Sequence, residues 1–166
     1  MGDMAPVVGI VCGSRSDFPV LEKTQALLGD LGVPCELRVA SAHRAPDLVA
    51  RYAETAAARG IRVVIAAAGG AAHLAGVIAA QTMLPVIGVP MQTPALGGLD
   101  SLLSIVQMPR GIPVATVGIG NAENAALLAV SILALSDPAL AARLAAYRAA
   151  QTAAILDDPS NAEPLG

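Results

Sequence analysis

Two histidines stand in this chain, His43 and His73, and each closely follows an apolar run. Histidine exchanges a proton near neutral pH, so one such side chain can move a proton in both directions. The plainer reading is a polar ring satisfied by its own surroundings. Arg44, beside His43, suits a phosphate or a carboxylate, or merely a surface ion pair. The segment Gly13-Ser14-Arg15-Ser16-Asp17 leads from an apolar run into a helical pattern. A helix start presents free N–H groups and positive potential, so Ser14 and Ser16 lie where an anion can be cradled. The same segment also reads as an ordinary strand–turn–helix with a serine cap. It is neither GxGxxG nor a Walker loop, which weakens dinucleotide and nucleoside triphosphate readings. Asp17 suits sugar hydroxyls, or caps its helix. Gly69 and Gly70 permit close backbone approach to a ligand, or a tight turn.

The elements that must position these residues alternate along the chain. Pro6–Cys12 (PVVGIVC) reads as a buried strand, followed by a helix from about Asp17 to Leu31 with Ser16 or Asp17 as N-cap. Leu21, Leu28 and Leu31 recur at helical spacing, and Gly32 ends the helix. Cys35–Ala40 reads as a second strand. After Ser41-Ala42-His43-Arg44, a helix runs from Pro46-Asp47 to about Arg59, with Leu48, Val49, Tyr52 and Ala56 on one face. Ile61–Ala67 reads as a third strand and residues 72–83 as a short helix. Pro85–Val89 reads as a fourth strand and Leu99–Val106 as a helix. Pro113–Val117 reads as a fifth strand. Asn121 or Asn124 can cap a helix through Leu135, and Pro138 starts another to about Leu156. Residues 1–156 thus read as one domain, and residues 157–166 as a polar, frayed tail.

Apolar strands alternating with helices imply an α/β fold, a three-layer α/β/α sandwich with a parallel, flavodoxin- or Rossmann-like central sheet. In such sheets ligands bind beyond the carboxyl ends of the strands. The loops holding Ser14, Ser16 and Asp17, then Ser41, His43 and Arg44, then Gly70, Ala71 and His73 should therefore share one end of the sheet.

Composition removes several function classes. Of 166 residues, 55% are hydrophobic and 14% charged, so the chain can bury a core and is not disordered. Aromatics are confined to Phe18, Tyr52 and Tyr147, too few for base-stacking platforms. A net charge of −3, with scattered Lys and Arg, provides no basic footprint for nucleic acid. Residues 63–99 carry no charge apart from a His73 cation, but Gly and Pro interrupt the run, so no membrane span fits. No basic segment and long apolar stretch open the chain, so no signal peptide is expected. Cys12 and Cys35 show no metal-ligand spacing and read as buried thiols of a reducing, cytoplasmic compartment. A mean hydropathy of +0.63 is high for a small monomer. The surplus apolar surface, with the Ala/Leu-rich segments 125–135 and 139–156, implies contacts between subunits.

The segments GSRSD (13–17), SAHRAPD (41–47), AGGAAHLAG (68–76), GVP (88–90), DSLLSIVQMPRGIPVAT (100–116) and NAALLA (124–129) closely resemble the class I PurE family, in the family's order. That resemblance implies a mutase that converts N5-carboxyaminoimidazole ribonucleotide to 4-carboxy-5-aminoimidazole ribonucleotide in purine biosynthesis. It implies no metal, no organic cofactor and no ATP. It also implies a homo-octamer, and a separate ATP-dependent carboxylase that hands over the unstable substrate. By motif, His43 matches the acid/base histidine. Ser14, Ser16, Asp17 and Arg44 fall in the substrate-binding segments. Ser41, Gly70, Ala71 and His73 match the part surrounding the migrating carboxylate.

Two departures stand out. Ala75 replaces the family's usual proline, and the stretch Ile119–Asn124 is shorter than the family's IGxAGAxNAALL pattern. The proline's loss should loosen its loop slightly, and the short stretch should alter the entry to its helix. Two rivals remain. A class II enzyme carboxylates aminoimidazole ribonucleotide directly with CO2; it carries SAHK and a different second histidine segment, so Arg44 and His73 favour class I. A non-catalytic nucleotide-binding protein would keep the cradle without needing His43.

Overall fold

A computed structural model describes residues 5–161. Five parallel strands form one sheet: β1 Val8–Cys12, β2 Cys35–Val39, β3 Val63–Ala68, β4 Val86–Pro90 and β5 Ala115–Thr116. Their order in space is β2-β1-β3-β4-β5. The chain therefore builds outward from β1 to β2, then crosses back to add β3 on the other side. Level register follows: Cys12 lies opposite both Val39 and Ala67, and Ala67 opposite Val89. The residues after β1, β2, β3 and β4 consequently emerge along one edge.

Helices cover both faces: α1 Phe18–Asp30, α2 Pro46–Ala56, α3 Leu74–Ala79, α4 Leu99–Val106, α5 Ala122–Ala134 and α6 Pro138–Leu156. Alternation along each strand divides the core in two. Val8, Ile10, Val63, Ile65, Ile87 and Val89 face Leu21 and Leu28 of α1 and the alanine stripe of α5. Val11, Val64, Ala66 and Val86 face Val49 of α2, Ile78 of α3 and Ile105 of α4. Burying each of Leu21 and Leu28 contributes about 1.5–3 kcal/mol. At the centre, a Cβ on Gly88 would stand 2.3 Å from Ile105 Cγ2, so glycine there lets α4 lie close on β4.

Fold class, the succession of elements along the chain and the bounds of α4 agree with the sequence reading; the differences are local. Ser14, and not Ser16 or Asp17, does the capping: its Oγ accepts from Ser16 N at 3.3 Å and starts a 3-10 turn, Arg15–Asp17, ahead of α1. Asp17 makes no side-chain capping bond. β2 is an edge strand, half-exposed rather than buried, and Cys35 is correspondingly only partly buried. α2 gives way at Ala57 to a 3-10 turn ending at left-handed Gly60 (φ 95). Its buried face is Val49, Ala53 and Ala56, with Leu48 exposed. α3 stops at Ala79 instead of Met83, because a turn begins there and the Thr82 hydroxyl accepts from Leu84 N. β5 is two residues long, held by pairing to Ile87 and Gly88 alone.

Of the alternatives at 121 and 124, Asn121 caps α5, accepting from Asn124 N at 3.1 Å. α5 spends its alanine stripe within this chain, so those alanines are not free for a subunit contact. Ala122, Ala125, Ala126, Ala129, Val130 and Leu133 are buried within this chain, against the sheet and α1. α6 buries only Leu140 and leaves Ile155 and Leu156 exposed. Ala75, where a proline was expected, is the fully buried second residue of α3. An N–H in the first turn has no helical partner, so either residue is accommodated there. The expected frayed tail begins with a 3-10 turn, Pro159–Asn161, and its last five residues lie outside the described range.

Candidate active site

Three loops meet at the carboxyl edge around a cavity of about 520 Å³. Ser14, Ser16 and Asp17 reach it from the turn after β1, and Ser41, His43 and Arg44 from the loop after β2. Ala71 and His73 reach it from the loop after β3. Gly70 is the one expected site residue that does not line the wall; it forms the turn behind it. A larger cavity, about 640 Å³, lies near the start of β4, but Glu54 is its only ionisable group.

The central contact joins the two histidines. His43 Nε2 lies 2.9 Å from His73 Nδ1, with the rings edge to face. β2 and β3 are not neighbours, because β1 runs between them. The two loops therefore arch toward each other over the carboxyl end of β1. A hydrogen bond between imidazoles needs one ring to donate and the other to accept, so at least one of the pair is neutral when it forms.

Arg44 ties two of the loops together. Its Nη2 donates to Gly13 O at 2.6 Å, and its own N and Nε donate to Ser41 Oγ, each at 3.3 Å. Ser41 is thus occupied in orienting the guanidinium. Ser16 Oγ donates to Ser14 Oγ at 2.9 Å, which holds the first loop compact. Cys12, fully buried at the end of β1, donates from Sγ to Ser14 O at 3.2 Å. Burial, and then the Asp17 charge, push its thiol up to about 11, so it remains protonated and structural. Burial also raises the Asp17 carboxyl above its ordinary value, partly offset by hydrogen bonds from Ser14 and Ser16. A half-buried carboxylate with spare lone pairs is a good acceptor for hydroxyl groups.

Sequence reasoning missed two kinds of residue here. Met91 and Gln92, after β4, also line the cavity. The rule that located the other loops applied to them, but a Met-Gln pair carries no distinctive chemistry. Ser101 and Ser104 of α4 grip Gly70 from behind, and nothing in their local sequence points to a partner thirty residues away. Among the described residues, no three His, Cys, Asp or Glu side chains converge as a metal site, and no helix is long and apolar enough to cross a membrane.

The family model described as AIR carboxylase matches residues 7–154. The chain belongs to the AIR carboxylase family. Within that family, the N5-carboxyaminoimidazole ribonucleotide mutase of Synechocystis sp. is 53% identical over 166 residues, covering 100% of this chain and 94% of the relative. The protein of the same name from Pyrococcus abyssi is 59% identical over 143 residues, covering 86% of this chain and 82% of the relative. The crystal structure of Treponema denticola PurE superposes with a TM-score of 0.87 at 29% identity, over 96% of this chain and 99% of that one. The AIR carboxylase fold accounts for the parallel sheet and the loop cluster at its carboxyl edge.

Proposed function

We propose that this chain is an N5-carboxyaminoimidazole ribonucleotide mutase, an isomerase of purine biosynthesis. The observation that carries the reading is the His43–His73 contact at the mouth of a cavity with Ser14, Asp17 and Arg44 on its wall. Relatives bearing the mutase name, at 50–59% identity, support it.

His43 is the acid/base residue. It delivers a proton to the carbamate nitrogen, and the N–C bond breaks to release CO2 and aminoimidazole ribonucleotide. The enamine-like C4 then attacks the CO2 carbon, forming the new C–C bond. The C4 proton returns to the histidine, so the cycle consumes no net proton. His73, at hydrogen-bond distance, sets the direction of the His43 ring and completes the region around the migrating carboxylate with Ser41, Gly70 and Ala71. Arg44, Ser14 and Ser16 take the phosphate, and Asp17 takes ribose hydroxyls. The chemistry asks for no metal and no organic cofactor.

Released CO2 must be kept from bulk water until C4 captures it. His43 and His73 are exposed in a single chain, so substrate and neighbouring subunits supply the cover. Exposed Leu96, Leu99, Leu103 and Val106 along one side of the molecule, and the bare outer face of α6, support a homo-oligomer. Our reading is an octamer in the cytoplasm, receiving substrate from an ATP-dependent carboxylase. Light scattering at micromolar concentration tests the assembly, and a stable monomer refutes it.

The test of function is a paired assay without ATP. One reaction receives N5-carboxyaminoimidazole ribonucleotide at low bicarbonate, the other aminoimidazole ribonucleotide at high bicarbonate. Efficient product in the first establishes the mutase, and a His43→Asn protein should bind substrate without turning it over. Efficient product in the second alone makes the chain a direct carboxylase; Arg44 and His73 argue against that outcome. Binding without turnover in either would leave a nucleotide-binding protein.

A further inference from the structure

Ser101 is fully buried, and with Thr24 it is one of two buried polar residues among those described. Its hydroxyl is committed at both ends. It accepts from Gly70 N at 2.9 Å and donates to Met91 O at 2.7 Å. One turn along α4, the Ser104 hydroxyl donates to Gly70 O at 3.1 Å, while also reaching Asp100 O at 2.7 Å. Gly70 is therefore held firmly at its N–H by Ser101 and more weakly at its C=O by Ser104, whose single hydrogen is shared with Asp100 O. Gly70 is left-handed (φ 69), a conformation the rest of the loop depends on. Ala72 N bonds back to Gly70 O and His73 N to Ala71 O, so the path from Gly70 to the His73 ring is short and tightly turned. His73 in turn meets His43.

We infer that Ser101 and Ser104 are positioning residues, which act through Gly70 to hold His73 against His43 and to keep the wall behind the reacting carboxylate closed. This rests on the mutase reading above. Neither serine hydrogen-bonds to a histidine, and α4 sends no side chain to the wall of the active-site cavity. Their hydroxyls are the direct hydrogen bonds between that helix and the loop after β3. Removing the Ser101 hydroxyl leaves the part-buried Gly70 N–H and the buried Met91 C=O without that partner, and the loop regains the freedom that the pair removed.

The consequence is specific to a reaction that passes through free CO2. In the intact site, C4 captures the CO2 just released. With the 68–73 wall loosened, CO2 escapes and aminoimidazole ribonucleotide leaves with it, so N5-carboxyaminoimidazole ribonucleotide plus a proton gives aminoimidazole ribonucleotide plus CO2. Substrate binding through the first two loops is untouched.

The experiment uses substrate carrying 13C in its carbamate carboxylate, with unlabelled bicarbonate in the buffer, and compares wild type, Ser101→Ala and Ser104→Ala. The wild-type product should retain the label. Ser101→Ala should lose label to the buffer and accumulate aminoimidazole ribonucleotide. Its kcat should drop about tenfold to hundredfold, the size expected of a small misplacement at a reacting centre, with KM little changed. Ser104→Ala, which removes the weaker carbonyl contact to the loop along with a bond inside α4, should lie between, and it keeps the proposal testable if Ser101→Ala fails to fold. Ser101→Cys, which keeps a weak donor, should recover part of the retained label. Full label retention and wild-type kcat in folded Ser101→Ala, or in folded Ser104→Ala where only that variant folds, overturn the inference. So does a loss confined to KM. A wild type that makes no product from this substrate instead refutes the mutase reading itself.

Discussion

Replacing Gly70 by alanine separates the two roles of the glycines at the carboxyl edge. A Cβ at residue 70 would meet no atom within 4 Å, so crowding contributes nothing. What remains is conformation, since the residue sits at φ 69. A side chain in the left-handed region costs about 1–2 kcal/mol. The stiffer unfolded chain offsets about 0.4–1 kcal/mol of that. The net loss is about 1 kcal/mol, equivalent to a Tm drop of about 2–4 °C for a domain of this length. Gly13 is the matched control. It too has open space around its Cβ position, but its φ is not positive, and it lines the cavity directly. Gly13→Ala should therefore melt at or slightly above the wild-type temperature. Its KM should rise at least about tenfold, because a methyl occupies room meant for substrate. Thermal unfolding at fixed protein concentration, paired with steady-state mutase kinetics, reads both effects. Equal losses of stability in the two variants, or no loss in Gly70→Ala, would refute the assignment of Gly70 to conformation and Gly13 to space.

Three further outcomes follow from the structure. Asp17→Asn should raise stability at neutral pH while weakening substrate binding. The folded carboxyl is raised by burial, so its contribution to stability is present at low pH and lost as pH rises through the folded value. Thermal unfolding at pH 3, below the ordinary carboxylate value, and at pH 8 checks the sign: the variant's advantage should be larger at pH 8. Glu36→Gln should act in the opposite sense. Burial alone would raise the Glu36 carboxyl, but hydrogen bonds from Arg59 (2.6 Å) and Arg38 (3.0 Å) outweigh it and hold it below its ordinary value. Its contribution is present above the unfolded value and lost as pH falls through the folded one, so the variant's acid-unfolding curve should flatten below about pH 4.3. Gly88→Ala should destabilise by about 1–3 kcal/mol, measured by denaturant unfolding. Its Cβ would also stand 3.0 Å from Val114 Cγ1, leaving Ile105 and α4 no room to remain in place.

Much of this protein was legible in its sequence because the signals are local. Val- and Ala-rich runs that are buried on both faces, separated by helical patterns, define a parallel sheet whatever the details of packing. The rule that ligands gather beyond the carboxyl ends of strands was enough to bring Ser14, Asp17, His43, Arg44 and His73 to one end. Pro46, Pro138 and Asn121 marked helix starts because capping chemistry lies within a few residues of the helix it serves. Edges were harder to read. Residues 35–40 read as a strand like the others, yet β2 lies at the end of the sheet and is partly exposed, and whether a strand is an edge depends on the sheet order. The α5 alanines look like a surface for another subunit, yet they pack inside the chain, because small side chains suit any close approach.

The site's inner connections belonged to tertiary structure alone. His43 and His73 are thirty residues apart and follow strands that do not touch, so their 2.9 Å contact exists only because β1 runs between them and both loops arch over it. Ser101 looks like an ordinary serine on an amphipathic helix. Its hold on Gly70 arises from the packing of α4 on β4, which glycine at position 88 permits. Chemistry was written in residue types and local spacing; the angles and distances at which it can operate came from the order of strands in space.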